Sequence, residues 1–265
     1  MTSLEQRIKN IFNNPLNLGL IFFICQEIFN TYSFPYFTHE PYSFEFYKCF
    51  FSYLYISYFG TCFIYFVIDR TKSFALFKRQ KEYCSLETYL KTFLKVGIYY
   101  TFIVIPTVYL FCECLKYRNL YYNKIEVFQN ETFQIAFEDF LSLIILDTIA
   151  YFVHKYMHVN RWVWKHVHSH HHEWTTPIAV ATLDAHPFEI LAWDLGPILI
   201  GPIIIGFSAQ HLMSYLIFLL SLNCTFHSGY NLWPAICEHH DIHHNKINCN
   251  FSFLLDHFMG TYKDH

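Results

Sequence analysis

Apolar residues in this chain fall into long uninterrupted runs. Cys49 to Ile68 is twenty residues without a charge, the length an α-helix needs to cross the hydrocarbon core of a bilayer. Val96 to Cys112 is also uncharged and is centred on Pro106, which predicts a kinked helix. Phe140 to Val153 is apolar apart from Asp147 and runs straight into His154. Gly196 to Leu222 opens Gly-Pro-Ile-Leu-Ile-Gly-Pro, and its 27 residues suit one tilted helix or a hairpin that returns to the same side. Leu16 to Phe29 is shorter and holds Gln26 and Glu27. It is read as a retained anchor, spanning or interfacial, because no cleavable signal follows Arg7 and Lys9.

The polar stretches between the runs set an orientation. From Arg70 to Lys95 there are seven Lys/Arg and two Glu; from Glu113 to Asp139 there are three Lys/Arg and five acids. The positive-inside bias puts 70–95 in the cytosol and 113–139 opposite. Asn130-Glu-Thr132, a glycosylation sequon, falls in that opposite loop. Counting crossings forward, residues 154–172 emerge on the cytosolic side. Residues 227–244 join them only if 196–222 turns back.

Composition supports a membrane protein. Hydrophobic residues are 54% and charged ones 15%, against about 25% charged in soluble domains. The 30 Phe and 21 Tyr would be hard to cover in water but can face lipid. The net charge of −3 and the lack of a basic face give no sign of nucleic acid. The nine cysteines are scattered through apolar runs and read as reduced core residues, not a disulfide framework.

Histidine carries the chemistry. Sixteen of the seventeen lie in the last 112 residues. His154 and His158 sit at i, i+4; His168, His171 and His172 repeat the i, i+3, i+4 spacing of His240, His243 and His244; His227 stands alone. Helical neighbours at i+3 and i+4 share a face, so each triplet can hand ligands to two adjacent ions, its i and i+3 members facing one way. Nine imidazoles give four or five per ion for two ions. An all-imidazole set narrows the metal to Fe, Zn, Cu or Ni. Neutral ligands suit a centre that binds O2. Asp241 and Glu173, beside the clusters, read as acids that orient ring N–H groups. His39, His166, His170, His239, His257 and His265 read as packed or solvated residues. Trp162, Trp164 and Trp174 read as interface anchors.

From Asp147 onward the chain resembles the fatty acid hydroxylase/sterol desaturase superfamily of membrane di-iron oxygenases, most of all its C-4 methylsterol oxidase branch. The motifs that carry the resemblance are His154-x3-His158, His168-Ser-His-His-His172-Glu173, Ala185-His186-Pro187-Phe188-Glu189, His227-Ser-Gly-Tyr230, His239-His240-Asp241-Ile-His243-His244 and Asp256-His-Phe-Met-Gly260-Thr261. The resemblance implies an all-α integral membrane protein of about four transmembrane helices, one of them a re-entrant hairpin, under a His-rich cytosolic cap. Residues 1–265 then form a single oxygenase domain, with 1–139 as the membrane anchor region and 140–265 as the His-rich catalytic region. The implied ligands are His154, His158, His168, His171, His172, His227, His240, His243 and His244. His186, Asp241, Glu173 and Asp256 are further candidates as ligands or as their supports. His211 also matches a family position, with a structural role the alternative.

The resemblance implies two iron ions, with zinc as a substitute after purification. Electrons come from NAD(P)H through a cytochrome b5-type donor acting in trans. The implied activity is O2-dependent oxidation of an unactivated lipid C–H bond, by hydroxylation or desaturation, on a sterol. The alternatives are a hydroxylase of acyl chains or sphingoid bases, and a non-catalytic membrane-complex subunit that keeps the fold. The implied location is the endoplasmic reticulum, or another internal membrane such as the mitochondrial. A metal transporter is disfavoured, because transport needs polar groups along the whole crossing and these spans are nearly free of ionisable residues.

Overall fold

The computed structural model describes residues 39–80, 82–121, 129, 131–231 and 234–263. The Leu16–Phe29 segment, the Asn130 sequon and His265 lie outside them. Among the described residues the regular structure is helical: α1 (Phe44–Thr71), α2 (Leu86–Tyr99), α3 (Ile105–Tyr121), α4 (Glu131–Val159), α5 (Pro187–Ile205), α6 (Ala209–Phe226), α7 (Pro234–Asn245) and α8 (Leu254–Met259).

Helix α1 begins where the Ser43 hydroxyl accepts from the Phe46 N–H at 3.1 Å, satisfying one of the free donors of the first turn. Phe46, Phe50, Leu54, Tyr58 and Cys62 recur every four residues and are fully buried, mainly against α6. Phe44, Ile56, Phe63 and Ile64 on other faces are exposed. Exposed apolar faces of this extent need a lipid partner. Three described stretches, Phe44–Thr71, Leu86–Leu120 and Pro187–Ile205, are long and apolar enough to cross a membrane. The protein is an all-α integral membrane protein.

Pro106 has a local effect. Its ring cannot coexist with a regular bond to the carbonyl four residues back, and a single π-turn over Tyr100–Val104 takes up the mismatch between α2 and α3. The two continue as one 35-residue span.

The returning hairpin is present and is longer than the apolar run from Gly196 to Leu222. Its first limb, α5, starts at Pro187, and α6 brings the chain back to His227. Glu189 and Asp194, which interrupt the hydropathy pattern, are buried inside the protein. At the bend, Gly206 has φ of 90°, and the Arg118 guanidinium stands where a Cβ would project. Only glycine combines that backbone with that neighbour. Arg118 Nη2 donates to the Ile205 carbonyl at 3.2 Å, and Asn119 Nδ2 to that of Phe207 at 2.8 Å.

Beside the bend, His211 lies between Glu138 (3.2 Å) and Asp139 (2.9 Å) and stacks on Phe207 with ring centres 3.7 Å apart. This places His211 in a structural contact that ties α6 to the start of α4. At 1.5 Å per residue, Asp139 is about 22 Å from His154 along α4. Helix α4 therefore connects the bend to the histidine-rich end.

At that end, Asn160 Oδ1 accepts from the N–H groups of Trp162 and Val163. It turns the chain out of α4 into the π-turn Trp164–His168 and the 3₁₀ turn His171–Glu173. Asp147, buried in α4, accepts from the N–H groups of Phe253, Leu254 and Leu255 at 2.7, 3.1 and 2.9 Å. These are donors that the start of a helix leaves free, so Asp147 docks α8 on α4. The seven described cysteines are free thiols.

Candidate metal centre

The nine histidines of the spaced clusters converge into two adjoining groups. His154, His158, His168, His172 and His243 form one, and His171, His227, His240 and His244 form the other. In each group the candidate ligand atoms all lie within 4.8 Å of one another. His172 of the first group and His244 of the second have ring centres 4.8 Å apart.

The partition inside the triplets differs from the sequence expectation. The i and i+4 members, His168 with His172 and His240 with His244, share a group, and the i+3 member crosses to the other. On an α-helix i+4 lies about 40° from i and i+3 about 60° away on the opposite side. Groups on either side of the helix ridge are therefore served by different members.

The Nε2 atoms meet at 2.9 Å (His158–His168), 3.1 Å (His168–His172) and 3.2 Å (His172–His243) in the first group. In the second they meet at 3.2 Å (His171–His227), 2.8 Å (His227–His240) and 3.0 Å (His240–His244). A ring nitrogen carries one proton or one lone pair. His168, His172, His227 and His240 each bring a single Nε2 to two others, so hydrogen bonding cannot satisfy the arrangement. A central cation can. Metal–nitrogen bonds of ~2.1 Å give ligand–ligand edges of about 3.0 Å at right angles and about 3.4 Å at tetrahedral angles. The residues present fit a metal in each group.

The opposite ring nitrogens show how the rings are aimed. His154 Nδ1 faces the Phe251 carbonyl at 2.9 Å, His243 Nδ1 that of Cys249 at 2.6 Å, and His227 Nδ1 that of Asn223 at 3.1 Å. His168 Nδ1 meets Glu189 Oε1 at 2.8 Å, both side chains being essentially inaccessible to solvent. Each of these Nδ1–H groups donates, which leaves the Nε2 lone pair pointing into its group. Burial lowers the pKa of His227 and His243 to about 4 and of His158 to about 2, and neighbouring histidines add to the effect at His158 and His243. The rings are therefore neutral at physiological pH, the form in which imidazole can bind a metal. Trp193 lies 4.1 Å from the His154 ring, Trp164 5.2 Å from His172, and Phe251 packs on His154, His158 and His243. This aromatic shell keeps water from the first group.

The other candidates fall outside the two groups. His186 is exposed and caps a helix start, its Nδ1 accepting from the Phe188 N–H at 3.1 Å. Glu173 is exposed and faces His170 at 3.3 Å. Asp241 is buried but accepts from Arg79 at 2.9 Å and from Gln80, not from a ring in either group. Asp256 accepts from the Ser252 N–H and the Thr261 hydroxyl, and His239 Nε2 lies 3.4 Å from it. Burial opposes its ionisation, but His239 nearby, the Thr261 hydroxyl and the Ser252 N–H outweigh that and hold its pKa below the usual carboxylate value. It supports the metal region indirectly, by fixing the loop that carries the Phe251 carbonyl. His170 bonds Lys95 at 2.8 Å, and His166 is exposed beside Trp162. Of the three tryptophans expected at the interface, Trp162 is 67% exposed, while Trp164 packs on the rings and Trp174 donates to Asp184 at 3.0 Å.

Sequence reasoning missed Glu189 as the acid on a ligand ring. It stands in the Ala185-His186-Pro187-Phe188-Glu189 motif, in which His186 drew attention instead. The three carbonyl acceptors carry no side-chain signal at all.

The sequence model of the fatty acid hydroxylase family matches residues 140–261. Fatty acid hydroxylase domain-containing protein 2 of Homo sapiens is 34% identical over 121 residues, 44% of this chain and 36% of its own. Sphinganine C4-monooxygenase 1 of Arabidopsis thaliana is 30% identical over 149 residues, 51% of this chain and 57% of its own. Very-long-chain aldehyde decarbonylase GL1-9 of Oryza sativa subsp. japonica is 29% identical over 141 residues, 48% of this chain and 55% of its own. The match thus spans between about a third and just over half the length of these relatives. No solved structure matches. Both histidine groups fall within the matched region, so it is the part of the chain from residue 140 to residue 261, the metal-centre candidates included, that is similar to the fatty acid hydroxylase family.

Proposed function

We propose that this protein is a dimetal, O2-dependent lipid hydroxylase working at the membrane surface, with the nine histidines as ligands of two iron ions. The convergence of nine neutral imidazoles into two buried, adjoining groups at one end of the membrane helices carries the reading. Reduced by electrons from NAD(P)H through a cytochrome b5-type donor, the two ions supply the activation of O2 needed to oxidise an unactivated C–H bond. The chain's own residues do the rest. Glu189 and the carbonyls of Phe251, Cys249 and Asn223 hold ring tautomers. Trp164, Trp193 and Phe251 exclude water. The apolar spans present a long-chain substrate from the bilayer, and the histidine-rich end faces the cytosol in line with the positive loop at 70–95.

The relatives' names favour an acyl chain or sphingoid base as substrate. A sterol is the second reading, on the run Asp256-His-Phe-Met-Gly260-Thr261. The endoplasmic reticulum is the proposed membrane. Zinc is expected to replace iron in protein purified without protection, since imidazole accepts both. The test is anaerobic purification in lipid discs, metal counting, then turnover under labelled O2 with sphingoid-base, acyl and sterol substrates. Label in a hydroxylated lipid supports the reading, and the best substrate decides its class. Fully loaded protein that labels none of the three points to a non-catalytic subunit.

A further inference from the structure

The two histidine groups are not held in the same way. In the five-histidine group, His154, His168 and His243 are each pinned at Nδ1 by Phe251, Glu189 and Cys249, all inside the family-matched region. Each group has two buried Nδ1 atoms without a partner, His158 and His172 in the first and His171 and His244 in the second; in the four-histidine group His227 bonds the carbonyl one turn back in its own helix, not one on another element. The rings of this second group have to be aimed through the backbones that carry them.

Those backbones are fastened by the connection between α1 and α2. Arg79 donates from Nε to Asp241 Oδ2 at 2.9 Å and from Nη1 to Glu238 Oε1 at 2.8 Å. Asp241 follows His240 and precedes His244 by one turn, so this fork fixes the helix face that presents both ligands. Gln80 Nε2 reaches the same carboxylate at 3.3 Å. Two backbone bonds clamp the segment after His227: Arg79 N–H to the Gly229 carbonyl at 3.0 Å, and Asn231 N–H to the Phe77 carbonyl at 2.7 Å. The Tyr230 hydroxyl donates to Asp69 at 2.8 Å, Lys78 pairs with Asp69 at 3.0 Å, and the Lys78 ammonium lies 4.6 Å over the Tyr230 ring. Lys78 and Asp69 are almost fully buried, so removing either strands a charge in a low-dielectric setting. These contacts bear on the two elements that carry His227, His240 and His244 of the four-histidine group; His243 of the other group shares the helix but is held separately, by the Cys249 carbonyl.

We infer that residues 69–80, outside the family-matched region, are the positioning element for the second metal ion, with Arg79 as its principal positioning residue. The inference rests on the two-ion reading above. The consequence is selective: disturbing Arg79 empties one ion site and leaves the other loaded. Lysine cannot replace it, because one ammonium does not reproduce the fork to two carboxylates.

The experiment uses the full chain in lipid discs, loaded anaerobically with iron. Ions per chain and the Mössbauer spectrum are measured for wild type, Arg79→Ala, Arg79→Lys and, as the converse, Glu189→Gln. Wild type should hold two ions. Arg79→Ala should hold one and lose one spectral component. Arg79→Lys should bind the second ion about 10–100-fold more weakly and recover it with excess metal. Glu189→Gln should weaken the other component. If Arg79→Ala misfolds, the lysine variant decides. Retention of both ions at wild-type affinity in the lysine variant, or loss of both in step, overturns the inference. A wild-type protein with fewer than two ions instead overturns the two-ion reading, and the inference with it.

Discussion

Glu189 offers the sharpest test of how the five-histidine group is built. Its carboxylate accepts from His168 Nδ1 at 2.8 Å in a site closed to solvent. A hydrogen bond to a charged partner contributes about 1.5–3 kcal/mol and a neutral one about 0.5–1.5 kcal/mol. Glu189→Gln keeps an acceptor in the same place but cannot become the carboxylate that a bound cation would favour, so it should cost about 1.4 kcal/mol, or tenfold in metal affinity. Glu189→Ala also leaves a buried N–H unpaired and frees the ring to turn. Its cost should reach about 3 kcal/mol, on the order of a hundredfold. Titration of metal-free protein with cobalt against a competing chelator reads both values. The four-histidine group should keep its wild-type affinity. The reasoning is refuted if alanine binds as tightly as wild type, or if both groups weaken equally.

Other perturbations test other parts. His171→Ala and His243→Ala, one from each group, should abolish lipid oxidation while the helices stay inserted, and His257→Ala, on an exposed residue stacked on Tyr262, should not; equal loss in all three would show that the ligands are misassigned. Asp147→Asn removes one of two oxygens that receive three N–H groups, and should lower stability by about 2 kcal/mol and loosen His154 and His243 through the displaced 249–255 segment; an unchanged Tm and cobalt affinity would count against it. In metal-free protein, His227 and His243 have folded pKa values near 4 against an unfolded value of about 6.5. The unfolded chain therefore binds more protons below about 6.5, and stability falls as pH drops from there to about 4, by roughly 2–4 kcal/mol per ring; denaturant midpoints that stay flat over that window would contradict the burial argument. Tags in 70–95 and after His265 should share one side of sealed vesicles and a tag at Asn130 the other; a C-terminal tag that tracks with Asn130 would undo the cytosolic orientation.

The helical membrane architecture was readable because hydrophobic run length is a direct physical requirement of the bilayer. It misled at α5, where Glu189 and Asp194 broke the run at Gly196 although both acids face inward. The nine histidines were readable because helical spacing brings them onto common faces. Their partition was not, because i+3 and i+4 lie on opposite sides of i and spacing alone does not say on which side of the ridge each group sits; His240, His243 and His244 on a regular helix divide just as His168, His171 and His172 do. The supports around the rings were the least readable part. Three are backbone carbonyls, and the acids nearest in sequence, Asp241 and Glu173, are engaged by Arg79 and His170 rather than by ligands. The strap at 69–80 lies some 160 residues from the helix it fastens, and nothing in its composition announces the contact.

The His154 ring takes its orientation from a carbonyl 97 residues later in the chain, with both limbs of the α5–α6 hairpin made in between. At a synthesis rate of about 5–20 residues per second, the ring waits several seconds at least for its acceptor. Throughout that interval His154 and His158 are already present on α4, without His243 or the loop at 249–251. The five-histidine group therefore cannot close around an ion until residues 243–251 have been made, so metal capture there follows synthesis of the α5–α6 hairpin. On the two-iron reading, a cell starved of iron at that moment would accumulate inserted protein with both groups open to whichever divalent ion arrives first.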